Sequence, residues 1–241
     1  MTPGPEPEAV PSDGGPLAFV ADLDAPVLSA DDHHHLARVR RLRAGDPMVL
    51  ADGAGRWRRA RFADARPEPA GAVVVEPSAA PAIGVAFALV KGGRPELVVQ
   101  KLTELGVDHV HPFVAARSVV RWDHARAASG HARLERVARE AAMQSRRAGL
   151  PTVHPVATFA EVAALTGACR ADRGGSPASL AHPVVLVGPE GGWDDEERAE
   201  ELPVVGLGPG VLRAETAAIA AGVVLTALRA GLLAPAGGVG S

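Results

Sequence analysis

The chain has 241 residues, 47% of them hydrophobic and 22% charged, enough to bury a core in one large domain or in a small and a medium one. A single cysteine, Cys169, excludes an intrachain disulfide and a cysteine metal cluster and points to a reducing, cytoplasmic setting. The formal net charge of −3 argues against a uniformly basic binder of nucleic acid, and the longest apolar run, 217–228, is too short to cross a membrane.

Residues 1–15, rich in Pro, Gly and acid, lack the basic start and apolar stretch of a signal peptide and are expected to form a disordered tail. Short β-like runs follow at 17–20, 48–51, 58–62 and 72–75, separated by turn formers such as Gly45-Asp46 and Asp52-Gly53. One helical stretch, 30–42, interrupts them, with Asp31 or Asp32 expected as its N-cap. This predicts a small β-rich domain over 16–78, and the proline-containing stretch 76–81 reads as a linker.

From residue 82 strand and helix alternate. The runs 85–90 and 184–187 are continuously apolar, as in strands buried on both faces, and 109–114 and 204–207 are further strand candidates. Between them, 96–105 has helical spacing, with Pro95 at its start and Gly106 beyond its end. Leu134, Val137, Ala138, Ala141 and Ser145 share another helical face, and a last helix is expected over 215–232. Repeated βα units predict an α/β domain over 82–241 with a mostly parallel sheet, whose ligands bind beyond the carboxyl ends of its strands.

Charge is segregated along the chain. Residues 33–61 carry eight arginines against Asp46 and Asp52, and residues 117–147 eight against Asp123, Glu135 and Glu140. Residues 148–241 are acidic instead. Two basic surfaces that meet phosphates, beside an acidic remainder, account for this pattern, and so do solvated arginines.

Two segments carry chemistry. Val187-Gly188-Pro189-Glu190-Gly191-Gly192-Trp193-Asp194 follows the predicted strand at 184–187, and its bare backbone can approach a flat ligand closely. The acidic helix start at 194–197 would repel a phosphate, whereas a neutral or cationic ligand such as S-adenosylmethionine (SAM) suits it. Trp193 either walls an adenine pocket or simply packs. The second segment, Leu207-Gly208-Pro209-Gly210-Val211-Leu212-Arg213-Ala214-Glu215-Thr216-Ala217, also joins a strand to a helix, so the two loops are expected to share one pocket. Cys169 reads as inert, and His33-His34-His35 as a helix-cap region rather than a metal site, since consecutive helical residues point in different directions.

These paired loops resemble the signature of the 16S ribosomal RNA (uracil-N3)-methyltransferase family of the SPOUT superfamily. Further stretches agree: Lys91-Gly92-Gly93-Arg94 leading to Gln100-Lys101-Leu102-Thr103-Glu104-Leu105-Gly106, then Arg117-Ser118, and Glu140-Ala141-Ala142-Met143-Gln144-Ser145 with Arg147 and Pro151. His35-Leu36-Ala37-Arg38-Val39-Arg40-Arg41-Leu42 and Asp52-Gly53 are similar to the family's N-terminal helix and turn. The resemblance runs over residues 17–233.

The resemblance implies an N-terminal PUA-like small β-barrel domain that binds RNA and a C-terminal SPOUT domain, an α/β trefoil-knot methyltransferase. It implies a homodimer acting in the cytoplasm on 16S rRNA in the small ribosomal subunit, with SAM as cofactor and with no metal and no membrane. SAM is expected at Val187, Gly188, Pro189, Glu190, Gly191, Gly192, Leu207, Gly208, Leu212, Arg213, Thr216 and Ala217. Arg213, Glu215 and Arg147 are the expected catalytic residues, and Arg38, Arg40, Arg41, Arg117, Arg146 and Arg147 the expected RNA contacts. A helix-start ion pair with Glu215 is the alternative role for Arg213. The chain departs from the family pattern at Gly210, Ala214 and Arg146, and 168–183 is Gly/Pro-rich where the family carries an apolar strand. Two rival readings stay open: a ribose 2′-O-methyltransferase, and a non-catalytic ribosome-assembly protein.

Overall fold

The structure, a computed structural model, describes residues 9–89, 94–118 and 124–234. It divides into two compact units, 1–78 with 139–150, and 79–138 with 151–241. Val90, Lys91, Gly92 and Gly93 lie outside the described residues.

The first unit contains β1 (Leu17–Phe19), α1 (Ala30–His34), β2 (Pro47–Ala51), β3 (Arg56–Arg61) and β4 (Glu68–Val75). These strands form a mixed sheet in the order β1-β2-β3-β4, with β1 parallel to β2 and the other pairs antiparallel. β2 is covered on both faces: Met48 and Leu50 pack with Leu36, Ala60 and Phe62, while Val49 and Ala51 pack with Leu17, Phe19 and Trp57. The α1 cap is Ser29, whose hydroxyl accepts the Asp32 N–H at 3.0 Å, and not Asp31 or Asp32 as expected. Beyond His34 the helix widens into a π-helical turn, His35–Val39, closed by the Arg40 N–H on the His35 carbonyl at 2.9 Å.

Two expectations are corrected here. Residues 10–15 belong to the packed unit rather than to a tail, because Val10 is buried beside Trp57 and Val49 and its N–H donates to Glu76 at 3.2 Å. Residues 139–150, assigned from the sequence to the second domain, belong to the first unit. Ala142 and Ala148 enter its core, and Arg139 donates to the Phe19 carbonyl at 3.0 Å and to Asp32 at 2.7 Å. Helical periodicity is blind to such a handover, since the helix itself runs unbroken over α3.

The second unit contains β5 (Gly84–Ala88), α2 (Arg94–Leu105), β6 (His109–Val114), α3 (His124–Ser145, up to 138), β7 (Thr152–Val153), β8 (Ala157–Thr158), α4 (Phe159–Ala163), β9 (Ala168–Pro177), β10 (Val184–Val187), α5 (Asp195–Ala199), β11 (Val204–Gly206) and α6 (Ala214–Arg229). The sheet runs β11-β9-β10-β5-β6-β7, with β8 beside β6, and its pairings are parallel. Both faces are covered, which explains the continuous apolar runs. Val85, Phe87, Val110 and Val185 face α2, α3 and α6, and Ala86, Phe113 and Leu186 face Val162 and Trp193. Gly222 is where α6 meets α2, since a Cβ there would lie 2.7 Å from Leu102 Cδ2. The strand β9 fills the stretch that the sequence left without one.

Candidate active site

A cleft of about 210 Å³ opens beyond the carboxyl ends of β10 and β11. Chain order reverses around β5, which lies between β6 and β10, and ligands of parallel sheets bind beside such a switch. Val187, Gly188, Pro189 and Glu190 from the first glycine-rich loop line one side, and Leu207, Gly208, Gly210 and Leu212 from the second line the other. The shared pocket expected from the sequence is therefore present.

The floor comes from a feature that the sequence concealed. β9 pairs with β11 at Arg170↔Val204 and resumes at Ser176↔Val205, so the intervening residues bulge out of the sheet. Ala171, Asp172 and Arg173 of this bulge line the cleft. The return is so tight that a Cβ on Gly175 would stand 2.4 Å from the Val205 carbonyl carbon. Asp172 pairs with Arg198 at 2.5 Å, which fixes the bulge to α5.

Trp193 lines the cleft and is buried, stacked on Phe113 at 6.2 Å with its indole N–H on the Ala171 carbonyl at 3.0 Å. Gly188 is required beneath it, for a Cβ there would lie 2.9 Å from Trp193 Cε2. Asp194 and Glu197 then close a capping box at the start of α5, and the Glu197 carboxylate also accepts the Ala116 N–H at 2.8 Å.

Of the residues expected to hold SAM, Val187, Gly188, Pro189, Glu190, Gly192, Leu207, Gly208, Leu212 and Ala217 line the cleft. Gly191, Arg213 and Thr216 do not; the Gly191 carbonyl instead accepts from Arg117 at 3.2 Å. Arg213 is the exposed N-cap residue of α6, between the cleft-lining Leu212 and Ala214. It is not the partner of Glu215. That carboxylate lies 3.6 Å from Arg94, its side chain is 12% exposed, and its Oε2 is buried without a hydrogen bond. Arg94 also donates to Glu190 at 2.9 Å. Asp172, Arg173, Arg198 and the anchoring role of Arg94 were not foreseen, although Arg94 stood in a quoted motif.

In the first unit Arg38, Arg40 and Arg41 are exposed around the π-helical turn, with Arg41 held at φ +58°. Arg146 is half-buried, donating to the carbonyls of Gly15, at 2.8 Å, and Pro11. The Arg147 N–H donates to the Ala142 carbonyl at 3.0 Å. His33 stacks on Phe62 and meets Asp64 at 2.5 Å, so the three consecutive histidines do not converge. Cys169 is buried, and burial pushes its thiol up to about 12. Among the described residues no helix is long and apolar enough to cross a membrane.

Residues 77–226 match the RNA methyltransferase domain family, and residues 28–74 match the RNA methyltransferase PUA domain. The chain belongs to the RNA methyltransferase family. Relatives of this RNA methyltransferase chain include ribosomal RNA small subunit methyltransferase E of Mycobacterium bovis, 37% identical over an alignment of 218 positions that covers 81% of this chain and 83% of that one. The protein of the same name from Bacillus subtilis is 30% identical over 80% of this chain and 87% of its own. Among solved structures, a methyltransferase from Legionella pneumophila in complex with SAM is 25% identical over 91% of this chain and 98% of that chain, with a TM-score of 0.76. Ribosomal RNA small subunit methyltransferase E from Neisseria gonorrhoeae, bound to SAM, is 27% identical over 88% of this chain and 97% of that chain, with a TM-score of 0.71.

The cleft residues fit SAM. Gly208 and Gly210 line the cleft and have nothing within 4 Å of where a Cβ would project, so bare backbone is offered to a flat base. The charged side chains of the lining balance, Asp172 and Glu190 against Arg173 and Arg198, with Asp172 paired to Arg198 and Glu190 to Arg94, so the cleft carries no net positive charge to oppose a sulfonium.

Proposed function

We propose that the chain is a SAM-dependent methyltransferase that methylates N3 of a uridine in 16S rRNA of the small ribosomal subunit, acting as a cytoplasmic homodimer. The observation that carries this reading is the convergence of both glycine-rich loops on one cleft, with Arg213 between two residues of its lining. The relatives named for small-subunit rRNA methylation, and the resemblance of the paired loops, support the base and the substrate.

Val187 to Glu190, Leu207, Gly208 and Leu212 would hold SAM, which supplies an electrophilic methyl group when bound. Methylation forms an N3–carbon bond, breaks a carbon–sulfur bond and releases the N3 proton. As N3 loses that proton, charge spreads to the two flanking carbonyl oxygens, and the Arg213 guanidinium stabilises it there. Glu215 or a water accepts the proton, since Glu215 Oε2 has no other hydrogen bond. Fixed alignment of nitrogen and methyl contributes much of the rate.

Arg38 on the π-helical turn and Arg40 and Arg41 directly after it, with Arg117 and Arg147, are proposed to meet phosphates. Arg146 is proposed chiefly as a brace, because carbonyls of residues 11 and 15 already engage its guanidinium. Exposed apolar Val211 and Val223, on the cleft loop and α6, are available to a second copy. Incubation with labelled SAM and unmodified small subunits, followed by nucleoside analysis, tests the reading. 3-Methyluridine is expected, and label in a ribose or SAM binding without transfer would favour the two rivals.

A further inference from the structure

His109, His111 and His154 come together at the β6–β7 edge of the second unit, away from the cleft. His109 and His111 are two residues apart on β6 and so share a face of the sheet. Thr152 and Val153 pair in register with His109 and Val110, and the His154 N–H donates to the Val110 carbonyl at 2.8 Å, which brings His154 alongside. The rings of His111 and His154 stack at 4.0 Å and 9°, and His109 lies 5.5 Å from His154 and 6.1 Å from His111. His109 Nδ1 is 3.3 Å from His154 Nε2, and one ring nitrogen from each residue lies within 4.8 Å of the others. Among the described residues no other group of His, Cys, Asp and Glu converges in this way.

We propose that His109, His111 and His154 form a binding site for one divalent transition-metal ion of the Zn²⁺, Co²⁺ or Ni²⁺ class, separate from the methyl-transfer cleft. Ligand bonds of about 2.0–2.1 Å around a tetrahedral ion place nitrogens roughly 3.3 Å apart, which one pair already satisfies. The third nitrogen, within 4.8 Å, closes on the ion when the His111 ring turns out of its stack on His154. A donor set made only of imidazoles selects these ions over Mg²⁺ or Ca²⁺, which take oxygen ligands. Metal binding also requires neutral rings. Burial, and then the charges of His154 and His109, push His111 down to about 4, and burial likewise lowers His154. A fourth histidine, His131 on α3, is engaged elsewhere, its Nε2 on the Val153 carbonyl at 2.8 Å. It steadies β7, directly before His154, rather than completing the set.

The site lies on β6, two strands across the sheet from β10, which leads into the cleft. His109 is in register with Gly84, and Gly84 with Val184, at the strand starts, whereas the cleft begins at Val187. An ion there would staple β6 to the chain after β7 and would not touch the reacting groups. No local spacing announces it, since 42 positions separate the strand-borne pair from the third ligand.

The test is a Zn²⁺ titration of the full chain against a chromophoric chelator, with thermal melts recorded with and without Zn²⁺. One equivalent is expected to bind, and Zn²⁺ to raise the melting temperature. His154→Ala, at a half-buried position, is expected to weaken binding at least ~10-fold, as removal of one of three ligands should. His33→Ala with His34→Ala and His35→Ala is expected to leave it unchanged. Co²⁺ in place of Zn²⁺ should give a visible absorption band in the wild type that His154→Ala lacks. Equal Zn²⁺ affinity in wild type and His154→Ala, or loss of binding in the His33, His34, His35 triple variant, would overturn the proposal. So would a wild-type chain that binds no Zn²⁺. None of these readouts depends on methyl transfer.

Discussion

The Arg94 guanidinium donates to the Glu190 carboxylate at 2.9 Å and so ties the start of α2 to the first glycine-rich loop. The same guanidinium stands 3.6 Å from Glu215 at the start of α6. One cation therefore restrains both sides of the proposed SAM site. Arg94 is 39% exposed, so water screens the pair and its loss should be modest. Arg94→Ala is expected to weaken SAM binding by about 3- to 10-fold, as measured by calorimetry, with little change in melting temperature.

Gly188→Ala should be far more damaging. The added Cβ would press on Trp193, which is held by Phe113 and by the Ala171 carbonyl and has little room to yield. The expected result is destabilisation of about 1–3 kcal/mol in urea melts, together with loss of SAM binding. A variant that binds SAM as the wild type does would show that the loop is not the cofactor's seat.

Arg213→Ala separates binding from chemistry. Arg213 is exposed and outside the cleft lining, so SAM affinity should stay within about 3-fold, while turnover falls about 100-fold or more if Arg213 stabilises the charge that develops on the base. Single-turnover methylation and SAM calorimetry on the same preparation check both halves.

Much of the second unit was legible in the sequence because its sheet is covered on both faces, so strands such as β5 and β10 are uninterrupted apolar runs. The two loops were legible because Gly188 and Gly208 stand at strand ends. β9 was hidden, since the residues between Arg170 and Ser176 leave the sheet, with Ala171, Asp172 and Arg173 lining the cleft, and so carry no alternating pattern. The assignment of 139–150 to the first unit was hidden for a different reason. Its anchors, Arg139 on Asp32 and Arg146 on the Gly15 carbonyl, join residues more than a hundred positions apart.

Asp52 gives a pH signature in the first unit. Burial works against its ionisation, but hydrogen bonds from Arg56 and from the Ala54 and Arg56 amides, with the Arg56 charge, outweigh it and hold the carboxyl below 3.8. The folded value is depressed, so the contribution to stability is complete above the unfolded value and is lost as pH falls through the folded one. Asp52→Asn is expected to cost about 1–3 kcal/mol at neutral pH. The gap between wild type and variant should narrow as pH falls through the lowered value of the folded Asp52 carboxyl, in urea melts taken across the acid range.

Cys169 should resist alkylation. Its thiol is buried beneath the His182 and Val184 carbonyls, and burial pushes it up to about 12, so almost no thiolate exists at pH 8. Iodoacetamide should modify it only after unfolding in urea, which intact-mass spectrometry reads directly.

The most direct measurement of the central claim uses small ribosomal subunits from cells that lack the endogenous modification, incubated with the chain and methyl-labelled SAM. The account predicts label in 3-methyluridine at one position of the 16S rRNA, strongly reduced in Arg213→Ala. Label confined to a ribose 2′-oxygen, or no transfer by a chain that binds SAM, would contradict it.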